Sequence, residues 1–314
     1  MGILKRFFLV LFIIICCLSP VAAAELIPGG QVIGLRLEDG AVYIAGFDPE
    51  LGNSAQQAGL KSGDRILSAD GKSVETSEDL REALTKSNGT LELTVIRNGK
   101  NKTFRLTPIV TSDGPKLGIY LRQGISGLGT VTFYHPDGSF GALGHGVMDG
   151  NTPISFQKGT VCGVTLLSIR RGKAGQPGQL LGALRDETSL GCATKNTTQG
   201  IFGQVSPPQA EVLSTGEAQS GEAAIRATVD EEGLQEYSVQ IVKIYPNSND
   251  RSRNMLIKIT DPALLKKTGG IVQGMSGSPI IQNGKLVGAV THVLVNDPTM
   301  GYGISIENML DAAA

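Results

Sequence analysis

The chain has 314 residues, 40% of them hydrophobic, and a formal net charge of -1. That length accommodates two packed domains, and the near-neutral balance gives no reason to expect an electrostatic nucleic-acid surface. Forty-two glycines, no tryptophan and many short apolar runs broken by turn residues predict a strand-rich, mainly β protein.

At the N-terminus, Lys5 and Arg6 precede an apolar run from Phe7 to Leu18, which ends in Ser19-Pro20-Val21-Ala22-Ala23-Ala24. A basic start, about twelve apolar residues and a small-residue end predict that residues 1–24 form a secretory signal or a retained membrane anchor. In either case the remainder is exported. The Cys16-Cys17 pair lacks the small residue expected before a lipidated cysteine. Cys162 and Cys192 are the other two cysteines, and they form either one disulfide or two buried thiols.

From Ile33 to about Pro108 the pattern is that of a small α/β unit. Ile33-Gly34-Leu35-Arg36-Leu37 and Ala41-Val42-Tyr43-Ile44-Ala45 alternate as strands, and Ser54 to Leu60 is a short helix closed by Gly59. Strand Asp64 to Ala69, a turn at Asp70-Gly71 and a helix over Ser77 to Lys86 follow. Ser77 is the expected cap of that helix, with Leu80 and Leu84 on its buried face. Two strands joined by Asn98-Gly99 complete the unit. The run Ser54-Ala55 through Ala58-Gly59-Leu60-Lys61-Ser62-Gly63-Asp64-Arg65-Ile66, followed by Asp70-Gly71, is similar to the bacterial PDZ signature. The resemblance implies a PDZ domain over residues 30–108 with a groove in which a peptide adds as an extra strand. It also implies that the amides of Ile33, Gly34 and Leu35 are candidates to hold a terminal carboxylate.

A polar stretch at 111–118 suggests a linker. Beyond it, over 118–314, short strands recur at Gly129–Phe133, Val161–Ile169, Gly200–Val205, Ala223–Val229, Ser238–Ile244 and Met255–Ile259, the spacing of a sandwich or barrel. Asp261-Pro262-Ala263-Leu264-Leu265-Lys266-Lys267 is a helix, with Asp261 as cap and Gly269 beyond its end.

The segment Gly269 to Ile280 carries the chemistry. Ser276 stands among small residues on a tight loop, just before two apolar strands joined by Asn283-Gly284. A serine needs a base, usually a histidine oriented by a carboxylate. The three histidines differ in setting. His145 lies between Gly144 and Gly146 after a strand, His135 precedes a turn, and His292 continues an apolar strand as a core or groove-lining residue. His145 is the preferred base. For the carboxylate, Asp149, Asp186 and Asp261 remain open, and Asp261 is equally an ordinary helix cap. A Cys162 nucleophile is disfavoured by its buried-strand setting, and no residue cluster has metal-ligand spacing, so no cofactor is expected.

The order histidine first, serine last matches the chymotrypsin arrangement rather than that of the α/β-hydrolases. Gly274-Met275-Ser276-Gly277-Ser278-Pro279 resembles the nucleophile region of chymotrypsin-like peptidases. That geometry assigns the amides of Gly274 and Ser276 to the oxyanion hole and implies a double β-barrel. The whole combination, with Gly141-Ala142-Leu143-Gly144-His145-Gly146, Val290-Thr291-His292-Val293 and Val295-Asn296-Asp297-Pro298, resembles the SpoIVB sporulation-signalling serine peptidases. That resemblance makes His145, Asp261 and Ser276 the triad. It implies export into the space between forespore and mother cell, self-processing, and cleavage of a regulatory subunit of an intramembrane protease complex that leads to late mother-cell sigma-factor activation. A non-catalytic PDZ adaptor that positions a membrane complex is the rival expectation.

Overall fold

The computed structural model describes residues 23–314 except Asn247; the side chains of Asn53 and of residues 186–188 lie outside that description. All but the last two residues of the expected export segment are likewise outside the described residues. No helix among the described residues is long and apolar enough to cross a membrane.

In chain order, β1 (Glu25–Pro28) and β2 (Val32–Phe47) lead to α1 (Asn53–Gln57), β3 (Arg65–Ala69), β4 (Lys72–Ser73), α2 (Ser77–Lys86), β5 (Leu91–Arg97) and β6 (Lys100–Leu106). Next come a small hairpin, β7 (Ile109–Thr111) and β8 (Gly114–Lys116), then β9 (Ile119–Tyr134), β10 (Ser139–Ala142), β11 (Met148–Asp149), β12 (Thr152–Pro153), β13 (Lys158–Arg170), β14 (Gly178–Thr197) and β15 (Gly200–Val205). The last third holds β16 (Leu213–Ser214), β17 (Gly221–Thr228), β18 (Leu234–Ile244), β19 (Met255–Ile259), α3 (Pro262–Thr268), β20 (Val272–Gln273), β21 (Pro279–Gln282), β22 (Lys285–Leu294), β23 (Asp297–Ser305) and α4 (Ile306–Ala313).

These strands make the expected mainly β architecture of a small α/β domain with two barrels. In the first barrel β9, β10, β15, β14, β13 and β2 are hydrogen-bonded in that order, and β2 pairs again with β9 to close the ring. The second barrel is β17, β18, β19, β23, β22 and β21. Each has its own apolar core, around Leu35, Phe140 and Ile201 in the first and around Ile225, Ile257 and Val290 in the second. A further buried group, Leu26, Phe133, Phe202, Leu286, Ile304, Ile306 and Met309, joins strands of both barrels to α4. Each fully buried side chain of this kind contributes about 1.5–3 kcal/mol relative to exposure.

The small α/β unit grows out of the first barrel's wall. In β2, Val32–Leu37 pair with Ile125–Thr130 of β9, whereas Val42–Phe47 pair with Ile119–Gln123 after an irregularity. Gly124, at φ +67, sits at the break, and a Cβ there would meet the Leu37 carbonyl oxygen at 2.1 Å. Beyond the break, β2 passes its pairing to β3, β5 and β6 over a separate core that includes Val42, Ile66, Leu80, Leu84 and Val95. The segment expected to open the PDZ domain is thus barrel wall. The stretch expected to be a linker is the β7–β8 hairpin.

Local signals act as their chemistry dictates. Asp70-Gly71, Asn98-Gly99 and Asn283-Gly284 all have positive φ at both residues and join paired strands, as tight hairpin turns demand. The α2 cap is Thr76 rather than the expected Ser77: Thr76 accepts from the Asp79 amide and Asp79 accepts in return, a capping box. Ser77 Oγ instead donates to Gln123. Asp261 caps α3 with Pro262 at its first turn and Gly269 in the left-handed conformation (φ 76) at its end.

Candidate active site

Ser276 lies between β20, which pairs with β14 of the first barrel, and β21 of the second, in a loop tied again to the first. The Thr130 amide donates to Ser276 O (2.9 Å), Thr130 Oγ1 to Gly274 O (2.7 Å) and Thr132 Oγ1 to Gly277 O (2.8 Å). The approach requires glycine at 277, where φ is +97 and a Cβ would lie 2.0 Å from Thr130 O. Around the serine, the amides of Met275, Gly277 and Ser278 donate to Val272, Val290 and Met275 carbonyls. The Gly274 and Ser276 amides have no acceptor among the described residues, which is the state of a donor pair open to an oxyanion. Ser278 is fully buried and its Oγ has no partner, whereas Ser276 is half-buried. Accessibility separates the two serines.

His145 follows β10 on a loop built from strained backbone. Leu143 has φ +70, unusual for a branched side chain, and Gly144 follows at φ +68. The Leu143 amide donates to Thr130 O (3.1 Å), so one residue of β9 anchors both the histidine loop and the serine loop. His145 Nδ1 lies 2.9 Å from Gly146 O. A carbonyl only accepts, so Nδ1 carries the proton and Nε2 keeps a basic lone pair. The imidazole packs against His292 with centroids 4.9 Å apart and planes at 39°. Ser276 Oγ donates to Thr291 O at 2.8 Å, the residue before His292. Ser276 Oγ and the His145 ring thus lie against consecutive residues of β22, and no hydrogen bond joins the serine to the imidazole among the described residues.

Both imidazoles are held neutral. Burial lowers the His145 pKa, and Arg253 adds to this against the Gly146 hydrogen bond. For His292 burial, then His145 and Arg253, lower it to about 4, with Asp250 opposing. A neutral His145 is the form a general base requires.

The expected third residue is not brought to this pair. The Asp261 carboxylate accepts from the Leu264 amide (2.9 Å) and the Ser238 amide (3.4 Å), and no hydrogen bond or ion pair joins it to His145 among the described residues. Register explains why. His292 is opposite Tyr302, which is opposite Leu256, and Asp261 is five residues further along, about 16 Å at strand spacing. Asp149 is exposed on β11, and the side chain of Asp186 is outside the described residues. His135 sits in the turn at the other end of β10, edge-on to Phe133. Cys162 is buried, Cys192 is exposed, and both are free. Among the described residues no group of three or more His, Cys, Asp or Glu is placed to hold a metal ion.

The structure places Ile33-Gly34-Leu35 away from any peptide groove. Both edges of this segment are taken, by β9 on one side and β13 on the other, and Ile33 and Leu35 are buried. A groove of about 760 Å³ instead runs between Leu80, Arg81 and Leu84 of α2 and the Leu117–Leu121 segment. The edge of β9 facing away from β2 over 119–123 has no strand partner among the described residues. The signal for this was Leu117-Gly118-Ile119, a second apolar-Gly-apolar triplet that begins at the end of the expected linker. His292, Thr130 and Thr291 were also not legible as site residues, because their role comes from pairing across barrels.

Two family models match the chain. The family described as SpoIVB peptidase S55 matches residues 113–310, and the PDZ domain family matches residues 32–107. The serine protease HTRA1 of Xenopus tropicalis is 43% identical over 66 residues, 21% of this chain and 14% of that protein. A putative zinc metalloprotease of Brucella suis is 27% identical over 161 residues, 50% of this chain and 40% of that protein. The chain thus spans 14% and 40% of the length of these curated relatives. The active form of the Rv3671c protease from M. tuberculosis overlays with a TM-score of 0.36 at 16% identity, covering 60% of this chain and 73% of that one. The HtrA-type protease AlgW with a decapeptide gives 0.37 at 14% identity, covering 61% and 53%. At such scores the barrels rest on their strand pairing, not on the overlays.

Proposed function

Because this chain belongs to the SpoIVB peptidase S55 family, a serine peptidase carrying a PDZ domain, we propose that Ser276 is its nucleophile and His145 its general base. The single observation that carries this is the convergence on Thr291-His292 of a half-buried serine and an imidazole whose Nε2 is free, beside two unpaired amides. In the reaction, Ser276 Oγ leaves Thr291 O and forms a bond to the scissile carbonyl carbon while its proton passes to His145 Nε2. The carbonyl oxygen gathers negative charge against the Gly274 and Ser276 amides. Collapse breaks the C–N bond, the proton goes from His145 to the departing amine, and water hydrolyses the acyl-enzyme by the reverse sequence. In this reading Gly146 O, rather than a carboxylate, sets the His145 tautomer, and Asp261 serves α3.

The substrate is a protein segment of narrow choice. The family resemblance supports a sporulation-signalling role: self-processing after export into the space between forespore and mother cell, then cleavage of a regulator of an intramembrane protease, so that the late mother-cell sigma factor is activated. The groove between α2 and the free edge of β9 supports engagement of an extended apolar peptide by strand addition.

A fluorophosphonate, which reacts only with an activated serine, tests the nucleophile without knowledge of the substrate. The full chain is expected to form one adduct, at Ser276, and Ser276→Ala none, with unchanged far-UV circular dichroism. Absence of an adduct in the folded wild-type chain would leave the non-catalytic adaptor as the better reading.

A further inference from the structure

The His145 ring makes one hydrogen bond among the described residues, to Gly146 O. The Gly146 carbonyl fixes the tautomer, but it belongs to the next residue of the same loop and moves with it. The ring contact from another element is His292 of β22, at 4.9 Å. Its side chain makes no hydrogen bond among the described residues, and its Nδ1 is buried without a partner, so polar satisfaction does not explain its place. The preceding residue is firmly held. Thr291 Oγ1 is buried and donates to Ser252 O at 3.0 Å, while Thr291 O receives the Ser276 hydroxyl. The dipeptide Thr291-His292 thus touches both members of the proposed Ser-His pair from one anchored strand.

We infer that His292 is a positioning residue for this peptidase: its neutral ring packs against His145 and aims Nε2 at Ser276, while Thr291 O holds the hydroxyl in reserve. This rests on the Ser276 reading above. Neutrality is part of the role, because a cation beside His145 opposes each proton that His145 accepts. The charged and titratable groups around His292 are His145 on the loop after β10, and Arg253 and Asp250 on the loop before β19. Two of these three, with burial, disfavour its imidazolium, and Asp250 only offsets them in part.

The test compares fluorophosphonate labelling rates of the full-chain wild type, His292→Ala and His292→Phe across pH, with thermal melting recorded for each. Loss of the ring in His292→Ala is expected to slow labelling about 10²-fold, the scale of a misplaced catalytic group. It is also expected to shift the acid limb to higher pH, because water reaches His145 and removes part of the burial that depresses its pKa. His292→Phe keeps an uncharged ring of similar shape, so its rate is expected to return to within about threefold of wild type with the limb unmoved. A labelling wild type with His292→Ala equally fast overturns the inference, and so does a slow His292→Ala whose acid limb stays in place. His292→Phe as slow as Ala overturns it as well, since a ring nitrogen would then be in the chemistry. A wild type that does not label overturns the Ser276 reading itself.

Discussion

The Asp64–Arg97 pair of the PDZ unit and the His145–His292 pair at the barrel junction are both largely withdrawn from water, yet they are built on opposite terms. Asp64 is 1% exposed, and every demand of its charge is met: Arg97 Nε and Nη2 each donate at 2.6 Å, the Lys61 amide at 2.9 Å, and Arg97 also reaches Gly59 O at 2.7 Å. Burial alone would raise the Asp64 carboxyl, but these hydrogen bonds and the guanidinium charge hold its pKa below the usual range. At the junction nothing is balanced in this way. One imidazole nitrogen is orphaned, two amides await an acceptor, and the backbone before His145 is strained at Leu143. A satisfied charge pair is a staple, whereas unpaired polar groups gathered in one place are what the proposed reaction site calls for.

The largest effect expected from probing this contrast is on the staple. Arg97→Ala strands a buried carboxylate and is expected to cost the folded chain about 3–5 kcal/mol, read by urea denaturation. Because the folded pKa of Asp64 lies below its unfolded value, its contribution is fully present at neutral pH. It fades as pH falls below about 4 toward the folded pKa. A cost below about 1 kcal/mol would make the pair an ordinary surface contact.

Thr130→Val comes next. It leaves Gly274 O buried without its donor at an expected cost of about 1–3 kcal/mol, and slower fluorophosphonate labelling should accompany it because the same loop carries Ser276. Full stability together with full labelling would show that β9 does not hold the nucleophile loop.

The smallest effect concerns Asp261. Removing the cap with Asp261→Ala should cost about 1 kcal/mol, while Asp261→Asn, an equally good cap, should cost a few tenths at most. Labelling should stay within about threefold of wild type in Asp261→Asn, in contrast to the roughly 10⁴-fold loss that amidation of a triad carboxylate produces. A loss on that scale in a stable Asn variant would restore Asp261 to the catalytic machinery.

Much of this protein was legible before any coordinate. Turn pairs such as Asn98-Gly99 and Asn283-Gly284 favour left-handed backbone, and both join paired strands as hairpins. Alternating apolar residues mark strands, and Asp261-Pro262 with Gly269 marks a capped helix. Glycines on either side of Ser276 and His145 mark tight, closely approached loops. These are properties of a residue and its immediate neighbours, so the sequence by itself determined them. Tertiary structure alone decided the rest. Ser276 and Ser278 are two residues apart in nearly identical surroundings, and only packing buries one and leaves the other accessible. Ile33-Gly34-Leu35 and Leu117-Gly118-Ile119 have the same local pattern, and strand pairing turns the first into barrel wall and leaves the second beside a groove. His292 reads as one more residue of an apolar strand until β22 of the second barrel meets the loop after β10 of the first. The physical reason is the same in each case: burial, pairing and ring contact are relations between segments distant in the chain, and no local pattern encodes which partner arrives.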